Sequence, residues 1–141
     1  MADKKVLIVE DDEDLQTLYG LYLQGESFEI CKAYNGIQAI DAVQKFCPDV
    51  IVLDMIMPKM DGEAFFLYLR TQLRITNVPV IIASVNEKIP PQMYAHGIQA
   101  TLRKPFTVEI LVDKIREALA NSETAAPHKI MSRLKPPKEN K

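Results

Sequence analysis

At 141 residues, with 48% apolar and 26% charged residues, the chain has the make-up of one soluble globular domain, large enough to bury roughly two-thirds of its unfolded surface. A disordered polymer is excluded, and the apolar runs are too short for a membrane span. The net charge of -2 hides an asymmetry: residues 121–141 hold five Lys/Arg against two Asp/Glu, a local +3, so the remainder carries -5, which argues against nucleic-acid binding by the globular part.

"KKVLIVE" is a β-branched run that ends in acid, and "DEDLQTLYGLYLQ" after it sets Leu15, Leu18, Leu21 and Tyr22 at helical spacing, giving strand then helix. Asp12, Glu13 and Asp14 fit the cap and first turn of that helix. The unit recurs in "FEICKA" and "NGIQAIDAVQKF", where Ile37, Ala39, Ile40 and Val43 form the apolar stripe, and again in "PDVIVLD" and "GEAFFLYLRTQL". "VPVIIAS" is followed by a Pro-containing segment in which Pro90 and Pro91 start a helix of one or two turns. "ATLR" and "TVEILVDKIREALA" close the series. Five apolar strands alternating with helices predict an α/β doubly wound five-stranded parallel sheet, covered on both faces. Residues 122–141, with three prolines and several lysines, read as a basic tail or linker after a domain of residues 1–121.

In such a sheet ligands bind beyond the carboxyl ends of the strands. Glu10 and Asp11 follow the first strand, Asp54 ends the third, Ser84 the fourth, and Lys104 follows the fifth. If the first and third strands are neighbours, Glu10, Asp11 and Asp54 crowd three carboxylates together, and a divalent cation is the natural compensator. Hard oxygen donors without His or Cys favour Mg²⁺. A lysine, a hydroxyl and a metal around one aspartate make a clamp for phosphoryl transfer to Asp54. Met55, Met57 and Met60 are expected to pack rather than ligate, and Cys31 and Cys47 to be small buried hydrophobes. Nothing in "MADKKVLIVEDD" resembles a signal peptide, so a cytoplasmic chain is expected.

Four motifs in order, "VLIVEDD", "DVIVLDMIMPKMDG", "VPVIIAS" and "RKPF", make residues 4 to 120 resemble the receiver domain of two-component response regulators, whose small chemotaxis member exemplifies the flavodoxin-like 2-1-3-4-5 strand order. The resemblance implies that Asp54 is the phosphoacceptor. Mg²⁺ would be held by Asp11, Asp54 and the backbone carbonyl of Ile56, with Glu10 acting through water. Ser84 and Lys104 would contact the phosphoryl group, and a cis peptide would precede Pro105. Gly62 would ease the turn into the helix after "MPKMDG". The donor would be a histidine kinase or a histidine phosphotransfer protein. The output would be a protein-interaction face, read by an unidentified downstream effector, and the domain would catalyse only its own phosphorylation and dephosphorylation.

Three departures stand out. Thr101 occupies the place of the usual aromatic three residues before the lysine, Val85 follows Ser84 where Ala or Gly is usual, and the fourth helix is short. Val85 is expected to slow phosphoryl access and hydrolysis. A haloacid-dehalogenase-like phosphatase would need an Asp at Ile56, and an FMN binder would need a phosphate loop where "EDDED" repels phosphate. The alternative that stays open is a receiver-like docking module working independently of phosphorylation.

Overall fold

Side-chain alternation along the central strands sends alternate residues to opposite sides of one sheet. The computed structural model describes residues 3–85 and 88–125. Strands β1 (Lys4–Val9), β2 (Phe28–Ala33), β3 (Val50–Asp54), β4 (Val80–Ser84) and β5 (Ala100–Arg103) pair in the order β2-β1-β3-β4-β5, all parallel. The helices are α1 (Glu13–Gly25), α2 (Gly36–Phe46), α3 (Gly62–Leu67), α4 (Pro91–Ala95) and α5 (Val108–Ala125), and a π-helical stretch, Tyr68–Gln72, prolongs α3. This is the expected flavodoxin-like architecture.

Leu7, Val9, Ile51, Leu53, Val80 and Ile82 face α2, α3 and α4, packing on Ala39, Val43, Phe65, Phe66, Leu69 and Met93. Val6, Ile8, Val50, Val52 and Ile81 face α1 and α5, packing on Tyr19, Leu23, Leu111, Val112 and Ile115. Burial on both faces explains why β1, β3 and β4 read as unbroken apolar runs. Met57 lies in the first of these layers, with Met55 and Met60 packed against it, as expected.

Two apolar stripes sit differently from expectation. On α1 the buried residues are Gln16, Tyr19, Gly20 and Leu23, while Leu18 is 50% and Leu21 67% exposed. The helix is rolled so that Gln16 meets the strand ends, a requirement that apolar spacing does not register. On α2, Ala39 and Val43 are buried but Ile37 is exposed. Cys47 is also exposed, because it closes α2 in the left-handed region with φ 53°; Cys31, on edge strand β2, is half-buried.

Pro90 caps α4 and Pro91 opens it, and the helix has five residues, as the prolines predict. The Lys104–Pro105 peptide is cis. α5 runs on to Ala125, across the boundary placed after residue 121, and the tail from residue 126 lies outside the described residues. Among the described residues, no helix is long and apolar enough to cross a membrane.

A second unforeseen feature is Arg70, on the π-helical stretch and only 6% exposed. Its guanidinium donates to four main-chain carbonyls: Nε to His96 (3.0 Å), Nη1 to Ile75 (2.9 Å) and Val78 (3.0 Å), and Nη2 to Gly97 (2.8 Å). It also lies 4.9 Å over the Phe66 ring. Burial lowers its proton affinity, and the carbonyl dipoles, not a carboxylate, offset the lost hydration.

Candidate functional site

Register brings the strand-end residues together. Val9 pairs with Leu53, so the next residues, Glu10 and Asp54, stand at one level; Asp54 pairs with Ala83, and Ser84 with Arg103, which puts Lys104 one step beyond. Glu10, Asp54 and Ser84 are buried, Asp11 is exposed, and Lys104 is half-buried.

One carboxylate oxygen from each of Glu10, Asp11 and Asp54 lies within 4.8 Å of the others. Lys104 Nζ donates to Glu10 Oε1 at 2.8 Å and sits 3.5 Å from Asp54 Oδ1. The other Glu10 oxygen accepts the Asp12 N–H at 3.1 Å, so both of its oxygens are engaged. Asp54 Oδ1 accepts the Ile56 N–H at 3.4 Å. Asp12 is turned away to cap α1, its Oδ1 accepting from Asp14 N (2.8 Å) and Leu15 N (3.1 Å), as its helix-start position predicts.

Burial first, and the Glu10 carboxylate next, push Asp54 from an ordinary 3.8 up to about 7, against the lowering pull of Lys104. Burial works against the Lys104 charge, yet its hydrogen bond to Glu10 and the charges of Asp54 and Glu10 outweigh it and raise its proton affinity. With all three acids ionised, three carboxylates face one ammonium, a surplus of two negative charges. Hard oxygen donors carrying that surplus fit a divalent cation of the Mg²⁺ kind.

The loop after β3 is clamped in place. Asp61 caps α3, accepting from Ala64 N at 2.9 Å, and Gly62 N donates to Met55 O at 3.0 Å. A Cβ on Gly62 would come within 2.4 Å of the Asp54 carbonyl oxygen and 2.7 Å of Met55 Cα, so only glycine lets α3 start this close to the site. Val85 and Ile56 are exposed beside the strand ends, and Thr101 is exposed on β5.

Two contributors were not foreseen. Gln16, fully buried, donates through Nε2 to Ile8 O (2.9 Å), Ala33 O (2.9 Å) and Glu10 O (3.1 Å). Tyr19, buried beside Lys104, stacks on Phe106 with centroids 5.9 Å apart and planes 12° apart. Neither residue type announces such a role.

Known proteins resemble this chain in sequence, and solved structures resemble it in fold. The chain is 28% identical over 123 residues to the DNA-binding dual master transcriptional regulator RpaA of Synechocystis sp., covering 84% of this chain and 50% of that protein. It is 30% identical over 125 residues to the alkaline phosphatase synthesis transcriptional regulatory protein PhoP of Bacillus subtilis, covering 89% and 52%. The chain thus spans about half the length of these curated relatives. The structure of the chemotaxis response regulator CheY4 of Vibrio cholerae superposes with a TM-score of 0.76 at 30% identity, covering 84% of this chain and all of that one. The family model described as "Response regulator receiver domain" matches residues 6–116. On that match, and with the strand order found here, the chain belongs to the receiver domain family of two-component response regulators.

Proposed function

We propose that Asp54 accepts a phosphoryl group from a histidine kinase or a histidine phosphotransfer protein, and that the receiver unit extends through the end of α5 at Ala125, with the basic residues after it serving as a tail or linker. The observation that carries this reading is the convergence of three carboxylates and Lys104 at the carboxyl ends of β1, β3 and β5. An Asp54 oxygen attacks phosphorus, a P–O bond forms to Asp54, and the bond from phosphorus to the donor atom breaks, its electron pair leaving with the donor. Hydrolysis reverses the attachment: water bonds to phosphorus and Asp54 departs as carboxylate.

Receiver domains bind Mg²⁺, and here Asp11, Asp54 and the Ile56 carbonyl would hold it, with Glu10 one water away; when bound it neutralises the negative charge gathered on the phosphoryl oxygens. Lys104 supplies a positive charge of the protein's own, held by Glu10 at 2.8 Å and lying 3.5 Å from Asp54 Oδ1. Ser84, at the end of the adjacent strand, donates its hydroxyl to a phosphoryl oxygen. The added charge then biases the face formed by α4, β5 and α5, which binds a downstream effector protein in the cytoplasm. The domain acts on no substrate other than its own aspartyl phosphate.

Incubation with Mg²⁺ and a small acyl phosphate tests this. Intact mass should show one phosphoryl group on the wild type, Mg²⁺-dependent, and none on Asp54→Asn; labelling of the variant, or none of the wild type, sinks the proposal. The exposed Thr101 and the five-residue α4 favour a second reading, a docking module indifferent to phosphate. Partner binding unchanged between phosphorylated wild type and Asp54→Asn would select it.

A further inference from the structure

Gln16 lies in α1, one turn past the Asp12 cap, with no exposed surface. Its Nε2 has two hydrogens and three acceptors, the carbonyls of Ile8, Ala33 and Glu10. Its Oε1 is buried with no hydrogen-bond partner among the described residues. Exchanging the two atoms would set an oxygen against three carbonyl oxygens, so the environment itself fixes the amide as found. A hydrophobic side chain of equal length would fill this space without stranding an oxygen. The amide therefore has its use in the carbonyls it grips.

The third of those carbonyls belongs to the peptide that joins Glu10 to Asp11. The peptide before Glu10 is held too, since Glu10 N donates to Ala33 O at 3.0 Å. The peptide after Glu10 is thus held by Gln16 of α1, and the peptide before it by the end of β2. That sets the direction in which the Glu10 side chain leaves and the point from which Asp11 starts. We infer that Gln16 is a positioning residue for the divalent-cation site, holding the Glu10–Asp11 peptide so that both acids converge on Asp54, without itself touching the ion. The inference rests on the phosphoacceptor reading above only in taking these acids as the cation site.

Gln16→Met keeps the length and removes the donors. Leu23→Ala, a fully buried change on the same helix away from the strand ends, is the control for a merely structural loss. With both variants verified as folded by circular dichroism, calorimetric Mg²⁺ titration should show affinity weakened about 10- to 100-fold in Gln16→Met, the usual effect of removing a group that orients metal ligands. Leu23→Ala should stay within about twofold of wild type. The half-saturating Mg²⁺ for Asp54 labelling should rise in step, with the rate recovering at saturation.

Unchanged Mg²⁺ affinity in Gln16→Met, or equal losses in both variants, overturns the inference. Should Gln16→Met not fold, the wild-type protein still decides. On Mg²⁺ titration the Gln16 side-chain amide resonance should move with the same midpoint as the Asp11 backbone amide, and a stationary resonance overturns the inference. Wild type that binds no Mg²⁺ defeats this inference, whereas wild type that binds Mg²⁺ without labelling at Asp54 defeats only the phosphoacceptor reading.

Discussion

Asp54→Asn should make the metal-free protein more stable at pH 8, and the gain should fade as the pH is lowered. Asp54 binds its proton more tightly folded than unfolded, because burial and Glu10 raise it from 3.8 to about 7. Between those values unfolding releases a proton, so the Asp54 contribution to stability is fully present below about pH 4, is lost as pH rises through the window, and is gone above about 7. Each tenfold in proton affinity is worth about 1.4 kcal/mol, so the move from 3.8 to about 7 withdraws about 4 kcal/mol at alkaline pH. Asparagine keeps an oxygen for the Ile56 N–H and carries no charge. It should recover much of that loss, a rise of about 10 °C in Tm for a domain of this size. Urea unfolding followed by circular dichroism, in chelator at pH 8 and pH 5, reads the difference, which should be large at pH 8 and smaller at pH 5. Adding Mg²⁺ should then stabilise the wild type and not the variant. Equal stability of the two proteins at pH 8, or a difference that does not shrink at pH 5, refutes the argument that buried charge governs this site.

Lys104→Met should cost about 3 kcal/mol at pH 8, since it leaves the buried Glu10 and Asp54 without their cation, and should slow Asp54 labelling; unfolding curves and intact-mass time courses check both. Gly62→Ala should lose about 1–3 kcal/mol through the contact with the Asp54 carbonyl, while Gly25→Ala, where a Cβ meets nothing within 4 Å, should be close to neutral in the same denaturant assay. Arg70→Lys should be destabilising by about 3 kcal/mol, because a three-donor ammonium cannot reach four carbonyls set around a planar fork; a thermal melt matching wild type would contradict that. Val85→Ala should shorten the lifetime of the aspartyl phosphate, and an unchanged half-life removes the idea that Val85 shields it.

Much of the site could be read from the chain because each functional residue ends or follows an apolar strand, and such strands declare themselves by composition. The doubly buried β1, β3 and β4 needed no help from periodicity. What stayed hidden depends on register and on main-chain acceptors. That Glu10 is spent on Lys104 and the Asp12 N–H follows only once Val9 is set beside Leu53. Helical spacing in α1 picks out Leu15, Leu18, Leu21 and Tyr22, because leucine outweighs a glutamine in any apolar pattern; Leu15 and Tyr22 do pack on the core, while Leu18 and Leu21 face solvent. The fold chose the opposite, since three carbonyls at the strand ends require a donor and leucine has none to give. Arg70 escaped notice for the same reason, although its spacing of four residues from Phe66 in "FFLYLR" is the one local hint of the ring contact.

Arg70 gives the sheet a fixed fulcrum. By fastening the chain before β4 to the turn that launches β5, it pins the end of these strands farthest from Asp54. The starts of β4 and β5 are thus tied to each other through a single guanidinium, with Ser84 and Lys104 standing at the opposite ends of the same two strands.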